Sequence, residues 1–230
     1  MCSRLLFAGF FLPLALTAAI CVGCGRGGDA QPKPKPPASK TSGEQQGAQP
    51  GKTDHSKQPP PKPSMPQVVL TEAEQQTCLV KVGDLFPRAK LPDLHGKMHS
   101  LGELFGPRLS VVCFWTGGNT EQQQSRAVDV LEFLQSEVSK PFSQQARVIG
   151  VNVGDDAQTI AELTNKAGVQ FVTLVDAQGA LLKQVATDER LPRVYLLDAQ
   201  GKVLWFDMEL RRISRQDLLA AIAASLGQAQ

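Results

Sequence analysis

The stretch Val111–Gln124, VVCFWTGGNTEQQQ, decides how the rest of the chain is read. With Leu109 and Ser110 it opens on a continuous apolar run, LSVVCFW, which marks a central strand covered on both faces. A Gly-Gly pair breaks the run. The polar segment that follows fits a helix start, with Asn119 or Thr120 as N-cap and Thr120-x-x-Gln123 as a capping box. Ala127, Val130, Leu131 and Leu134 supply the inward stripe of that helix. A strand that hands the chain to a helix N-terminus is a natural place for a reactive group, because unpaired N–H groups and the helix dipole favour negative charge there. Yet no residue between Trp115 and Gln124 is a strong nucleophile.

Working outward from this stretch, further elements fall into place. ARVIGVNV (Ala146–Val153) reads as a second buried strand. Asp155 or Asp156 caps a helix that ends near Gly168. FVTLVD (Phe171–Asp176) is a third strand, and RVYLLD and KVLWFD form an antiparallel hairpin. The tetrapeptide DAQG occurs at Asp176–Gly179 and at Asp198–Gly201, each time as a turn after a strand. Ser100-Leu101-Gly102-Glu103 is a capping-box pattern for a one-turn helix, and Ser214-x-x-Asp217 starts a terminal helix. The order β-α-β-α-β-β-β-α predicts a mixed sheet with helices on both faces.

The N-terminal third is different in kind. Arg4, the apolar run Leu5–Ile20 and the small residues before Cys24 predict an export signal over residues 1–24. The C-x-x-C in this segment, CVGC, follows no strand and is not read as a redox pair. Its end resembles a bacterial lipoprotein signal, which implies that Cys24 is the lipidated residue; an ordinary signal is the alternative. Residues 25–66 are rich in Pro, Lys, Gln and Gly and almost free of large apolar side chains, so they predict a disordered, semi-stiff linker that contains the isolated His55. Residues 67–230 then form one globular domain. The linker carries 7 Lys and Arg against 3 Asp and Glu, whereas residues 67–230 carry 16 against 19. The basic balance therefore belongs to the tail, and a nucleic-acid partner is not expected.

Three further segments carry a family likeness. KVGDLFPRAKLPDLHGKMHSLGELFG, VVCFW and RLPRVYLLDAQGKVLWF together resemble the thioredoxin-like superfamily, in particular its tethered TlpA/ResA-type branch, which borders the AhpC/TSA redoxins. The resemblance spans about Lys81–Gly227. It implies a three-layer α/β/α fold with a central mixed sheet and an N-terminal irregular hairpin extension. It also implies a Cys-x-x-Cys at the start of the helix after VVCFW, where the helix lowers the thiol pKa. With Trp115 as anchor, those two positions fall on Asn119 and Gln122, and Asn119-Thr120-Glu121-Gln122 stands where the redox pair is expected. Pro192 matches the family's cis-proline, and Leu191 the residue whose backbone faces a substrate peptide. Trp115, Leu191, Pro192 and Arg193 are thus the expected binding edge, with strand addition of a peptide or protein partner as the expected mode. Arg193 and the pair Arg211-Arg212 are read as solvated charge.

Only Cys78 and Cys113 lie outside the first 24 residues. Cys113 sits inside the predicted strand and reads as a buried, inert thiol. Cys78 lies in the polar stretch EQQTCLVKVG and reads as exposed and oxidisable. A Cys78–Cys113 disulfide is an alternative. His95 and His99 occur in DLHGKMHS, read as a surface hairpin turn and not as a metal pair. No cofactor or metal is expected. The leading expectation is a lipid-tethered, extracytoplasmic thioredoxin-like domain, in the bacterial periplasm or at the cell surface, that binds or scaffolds without dithiol chemistry. The alternative is a thiol-dependent oxidoreductase or peroxidase using Cys113, Cys78 or both.

Overall fold

The computed structural model describes residues 64–227; the export segment, Cys24 and almost all of the linker lie outside the described residues. In chain order the elements are α1 (Glu72–Thr77), β1 (Lys90–Pro92), β2 (Met98–Ser100), a 3-10 turn (Leu101–Leu104), β3 (Leu109–Trp115) and α2 (Glu121–Phe133). A π-helical turn (Leu134–Ser139) extends α2 and is followed by β4 (Ala146–Val153), α3 (Ala157–Lys166), β5 (Val172–Asp176) and α4 (Leu182–Val185). The chain closes with β6 (Arg193–Asp198), β7 (Val203–Asp207) and α5 (Arg212–Gly227).

Five strands form one sheet in the order β5-β4-β3-β6-β7. β3, β4 and β5 run parallel, and β6 and β7 run antiparallel to their neighbours. The apolar run that opened the reading is the middle strand, and all seven of its residues are buried. Its alternation feeds two separate cores. Val111, Cys113 and Trp115 pack with α2, α3 and α5 on one face. Val112 and Phe114 pack with α4 and the N-terminal segment on the other, where Phe86, Phe114, Tyr195 and Phe206 form an aromatic cluster. This is the expected three-layer arrangement, and the β1–β2 hairpin is the expected N-terminal extension.

Both sheet edges are covered. Gly83 N–H donates to Val203 O and Val203 N–H to Asp84 O along β7, and the hairpin reaches β5 through an Asp93–Leu174 bridge. Covering an edge in this way removes a template for aggregation. The two DAQG turns close as expected: Gly179 N–H donates to Asp176 O and Gly201 N–H to Asp198 O, with both glycines at positive φ.

Several local expectations are corrected. Ser100 precedes the 3-10 turn but makes no side-chain cap, because a 3-10 turn does not present its N–H groups as an α-helix does. α5 begins at Arg212, two residues before Ser214, after Leu210 turns the chain with φ 39°. α1 and α4 are short helices that the sequence order omitted. The α1 segment also overturns the exposure expected of Cys78. Cys78 ends α1, bridges Ala186 and is 4% exposed.

Candidate functional site

β3 delivers Trp115 to the top of the sheet, and residues 116–120 carry the chain to α2. One carboxylate organises this loop. Asp155 accepts from Gly117 N–H at 2.5 Å, Gly118 N–H at 3.3 Å, the Thr116 hydroxyl at 3.1 Å and Asn152 Nδ2 at 2.6 Å. Gly117 leaves room for α3: a Cβ would meet Leu163 Cδ1 at 2.6 Å and Thr159 Cγ2 at 3.2 Å, so those side chains would have to shift. Gly118 takes φ 65°, which glycine adopts without cost. The two candidate caps around Gly154 therefore separate. Asp156 caps α3 through Thr159 N–H at 2.8 Å, and Asp155 braces the loop before α2.

The start of α2 is closed by its own side chains. Thr120, not Asn119, is the N-cap: its hydroxyl accepts from Gln123 N–H at 3.2 Å. Gln123 Oε1 accepts from Asn119 N–H at 3.0 Å and Thr120 N–H at 3.1 Å, which completes the capping box. The N–H groups that would otherwise face a bound anion are thus partly occupied. Asn119, Thr120, Glu121 and Gln122 are all solvent-exposed. Glu121 and Gln122 border a shallow depression shared with Ser125, Arg126, Asp129 and Arg212.

Opposite this helix start lies the loop between α4 and β6. The Leu191–Pro192 peptide bond is cis. Trp115, Leu191 and Pro192 come together with Thr116, Gln123, Arg126 and Ala127 around a cavity of about 120 Å³. Thr116 and Leu191 also form one wall of a larger cleft of about 380 Å³ that runs to Val153, Lys183 and Glu189. Leu191 makes no backbone hydrogen bond among the described residues.

Arg193 does not join them. The expectation of solvated charge fails, because its side chain is fully buried. Strand alternation gives the reason: Pro192 shares parity with Val194 and faces α2, whereas Arg193 shares parity with Tyr195 and lies in the opposite core. There its Nη2 pairs with Asp188 at 2.5 Å, and its Nη1 lies 3.4 Å from the Tyr195 hydroxyl and 3.6 Å from Cys78 Sγ. Asp188 also receives Arg190 Nε at 2.8 Å, and Arg190 reaches Glu74 on α1 at 3.1 Å. Burial works against the charge on Asp188, but Arg190 and Arg193 outweigh it and hold its carboxyl below the ordinary value. Asp188 is an organising residue that the sequence reading missed, and Asp155 is one that it offered only as a cap of α3.

The two cysteines are free and buried, and they lie in different cores. Cys113 is on the α2 side of the sheet and Cys78 on the α4 side, so the sheet separates them and the Cys78–Cys113 disulfide is not formed. Burial pushes the Cys113 thiol up to about 12. His99 Nε2 donates to the Asp93 carboxylate at 2.8 Å within the β1–β2 hairpin, and His95 sits in its turn.

The AhpC/TSA family model matches residues 82–206, more than half of the chain, and the chain belongs to that family. Its structural neighbours share the thioredoxin-like fold. A proposed protein disulfide isomerase from Bacteroides thetaiotaomicron superposes with a TM-score of 0.58 at 16% identity, covering 66% of this chain and 93% of its own. A proposed thiol:disulfide interchange protein DsbE from Chlorobium tepidum gives 0.55 at 20% identity, covering 64% and 99%. Peroxidoxin BcpB from Mycobacterium tuberculosis gives 0.54 at 20% identity, covering 66% and 99%. At these identities the likeness establishes the fold. No curated protein matches the chain.

Proposed function

We propose that this redoxin-family chain is a membrane-tethered, extracytoplasmic binding or scaffold module without dithiol-disulfide activity. The observation that carries the reading is at the start of α2. The loop is braced, the helix is capped, and Asn119 and Gln122 stand where a thiol pair would be needed. Neither side chain can attack a disulfide, and the thiols in the described residues lie buried in the two cores. The cavity between Trp115 and Pro192 and the unpaired backbone of Leu191 support docking of an extended segment at this edge. The export segment and Cys24 support the tether.

Insulin reduction and peroxide consumption by the full chain test the absence of thiol chemistry, with no turnover above background expected. One observation favours a second reading: the Arg193 guanidinium lies 3.6 Å from Cys78 Sγ, so a cation stands beside one of the two thiols. Turnover that disappears in Cys78→Ser or Cys113→Ser would establish that alternative and end the binding-only reading. For the docking edge, capture of a partner by the wild-type chain should be lost in Leu191→Asp. For the anchor, a Cys24→Ala chain that stays membrane-bound after signal processing would refute lipidation.

A further inference from the structure

The segment Cys78–Phe86 presents a surface that the fold does not use. It is held down on both sides. Leu79 N–H and Val80 N–H donate to Val185 O at 3.0 and 3.3 Å, Gly83 N–H to Val203 O at 2.8 Å and Phe86 N–H to Gly201 O at 2.8 Å. Between these anchors Asp84 N–H closes a tight turn on Lys81 O at 3.1 Å, with Gly83 at φ 97°. Cys78, Val80 and Phe86 point into the core. Leu79, Val82 and Leu85 point outward and are 51%, 52% and 70% exposed.

The outward row of an anchored segment is normally polar, and a turn corner normally takes Gly, Pro, Asn, Asp or Ser. Here large aliphatic side chains fill the row, and β-branched Val82 sits at the corner. Val69, just before α1, is 85% exposed. Val69 thus adds a fourth exposed aliphatic group to the N-terminal part of the domain. Exposed Lys81 lies in the same turn, and exposed Lys202 bridges Leu85 directly. The Asp84 carboxylate is turned back onto Lys81 N–H at 2.8 Å.

We propose that this turn is a membrane-contact face, with Leu79, Val82 and Leu85 entering the headgroup boundary of an anionic bilayer and Lys81 and Lys202 meeting its phosphates. The inference rests on the membrane-tethered reading above. Three aliphatic tips fall far short of the roughly 800 Å² per partner of a stable protein interface. They suit shallow insertion, which needs little area once a tether keeps the surface close. The linker that precedes the domain carries the same preference, with its excess of lysine over acidic residues.

The test uses the full-length chain bound to phosphatidylcholine–phosphatidylglycerol vesicles, with dansylalanine in place of Val82 or, as a control, of exposed Gln158. Nitroxide-labelled lipid should quench the probe at position 82 and leave that at position 158 unaffected. The quenching should be lost in the variant Leu79→Ser, Leu85→Ser. A vesicle-bound chain whose two probes are quenched equally overturns the contact face while leaving the tether intact. A chain that does not float with the vesicles overturns the tether reading itself, and the contact face with it. Shielding of position 82 that grows with protein density, without nitroxide quenching, assigns the face to a second copy and overturns the proposal.

Discussion

Two loops face each other across the Trp115–Pro192 cavity, and they are held in opposite ways. The loop before α2 is the more local of the two: its partners are side chains of its own first helical turn and Asp155, 38 residues on from Gly117. The loop before β6 is long-range: its charges run from Arg193 through Asp188 and Arg190 to Glu74, which is 116 residues away in sequence. The first needs its own strand–turn–helix and one carboxylate from the turn after β4. The second is complete only once the N-terminal segment has packed against the sheet and brought Glu74 to Arg190. Asn119–Gln122 belongs to the more local loop, whereas the ionic cluster belongs to the long-range one.

The sharpest way to break the long-range loop is Arg193→Ala. It empties a fully buried site and takes away one of the two guanidinium partners of Asp188, and the loss should be about 3 kcal/mol in urea unfolding. The pair Arg193→Met, Asp188→Asn should lose distinctly less, because the space is refilled and no carboxylate is left short of a partner. Breaking the local loop should be milder. Asp155→Ala strands Gly117 N–H and Asn152 Nδ2 and should cost about 2 kcal/mol. Thr120→Ala removes only the cap of α2, and a loss of about 1 kcal/mol is expected. Hydrogen exchange should confine that change to the first turn of α2.

Acid separates the two loops more finely. The Asp188 carboxyl lies below its ordinary value of 3.8 in the folded chain. Its contribution is therefore fully present above that value and is lost as pH falls through the lower folded one. Stability measured from pH 5 downward should drop, and Asp188→Asn should flatten the drop below about pH 4. A variant that keeps the full acid dependence would place its origin in other carboxylates.

The same division explains what could be read from the sequence. The middle strand, the capping box and both DAQG turns were legible because each depends on neighbours within a few residues. The position of Arg193 was not, although a signal was present: it has the parity of Tyr195 and Leu197, both fully buried. A charged residue at the head of a strand reads as surface because its partner Asp188, five residues earlier, lies in a polar and partly exposed loop segment. Cys78 was misplaced for a related reason. The polar EQQT before it suggested solvent, while the alternation of Cys78 and Val80 with Leu79 and Lys81 pointed inward. Asp155 and Asp156 could not be told apart by capping preference, since both suit an N-cap; only the approach of β3 to β4 assigns one of them to the other loop.

The placement of the two thiols on opposite sides of β3 also has a consequence for biogenesis. In a compartment that oxidises thiols, a chain that joined Cys78 to Cys113 before folding could not lay the central strand between its two cores. Such a bond would be an off-pathway trap that only reduction could release. Once the sheet has formed, it is itself the barrier that keeps the two sulfurs apart, so in such a compartment the rate of folding would decide how many chains escape the trap.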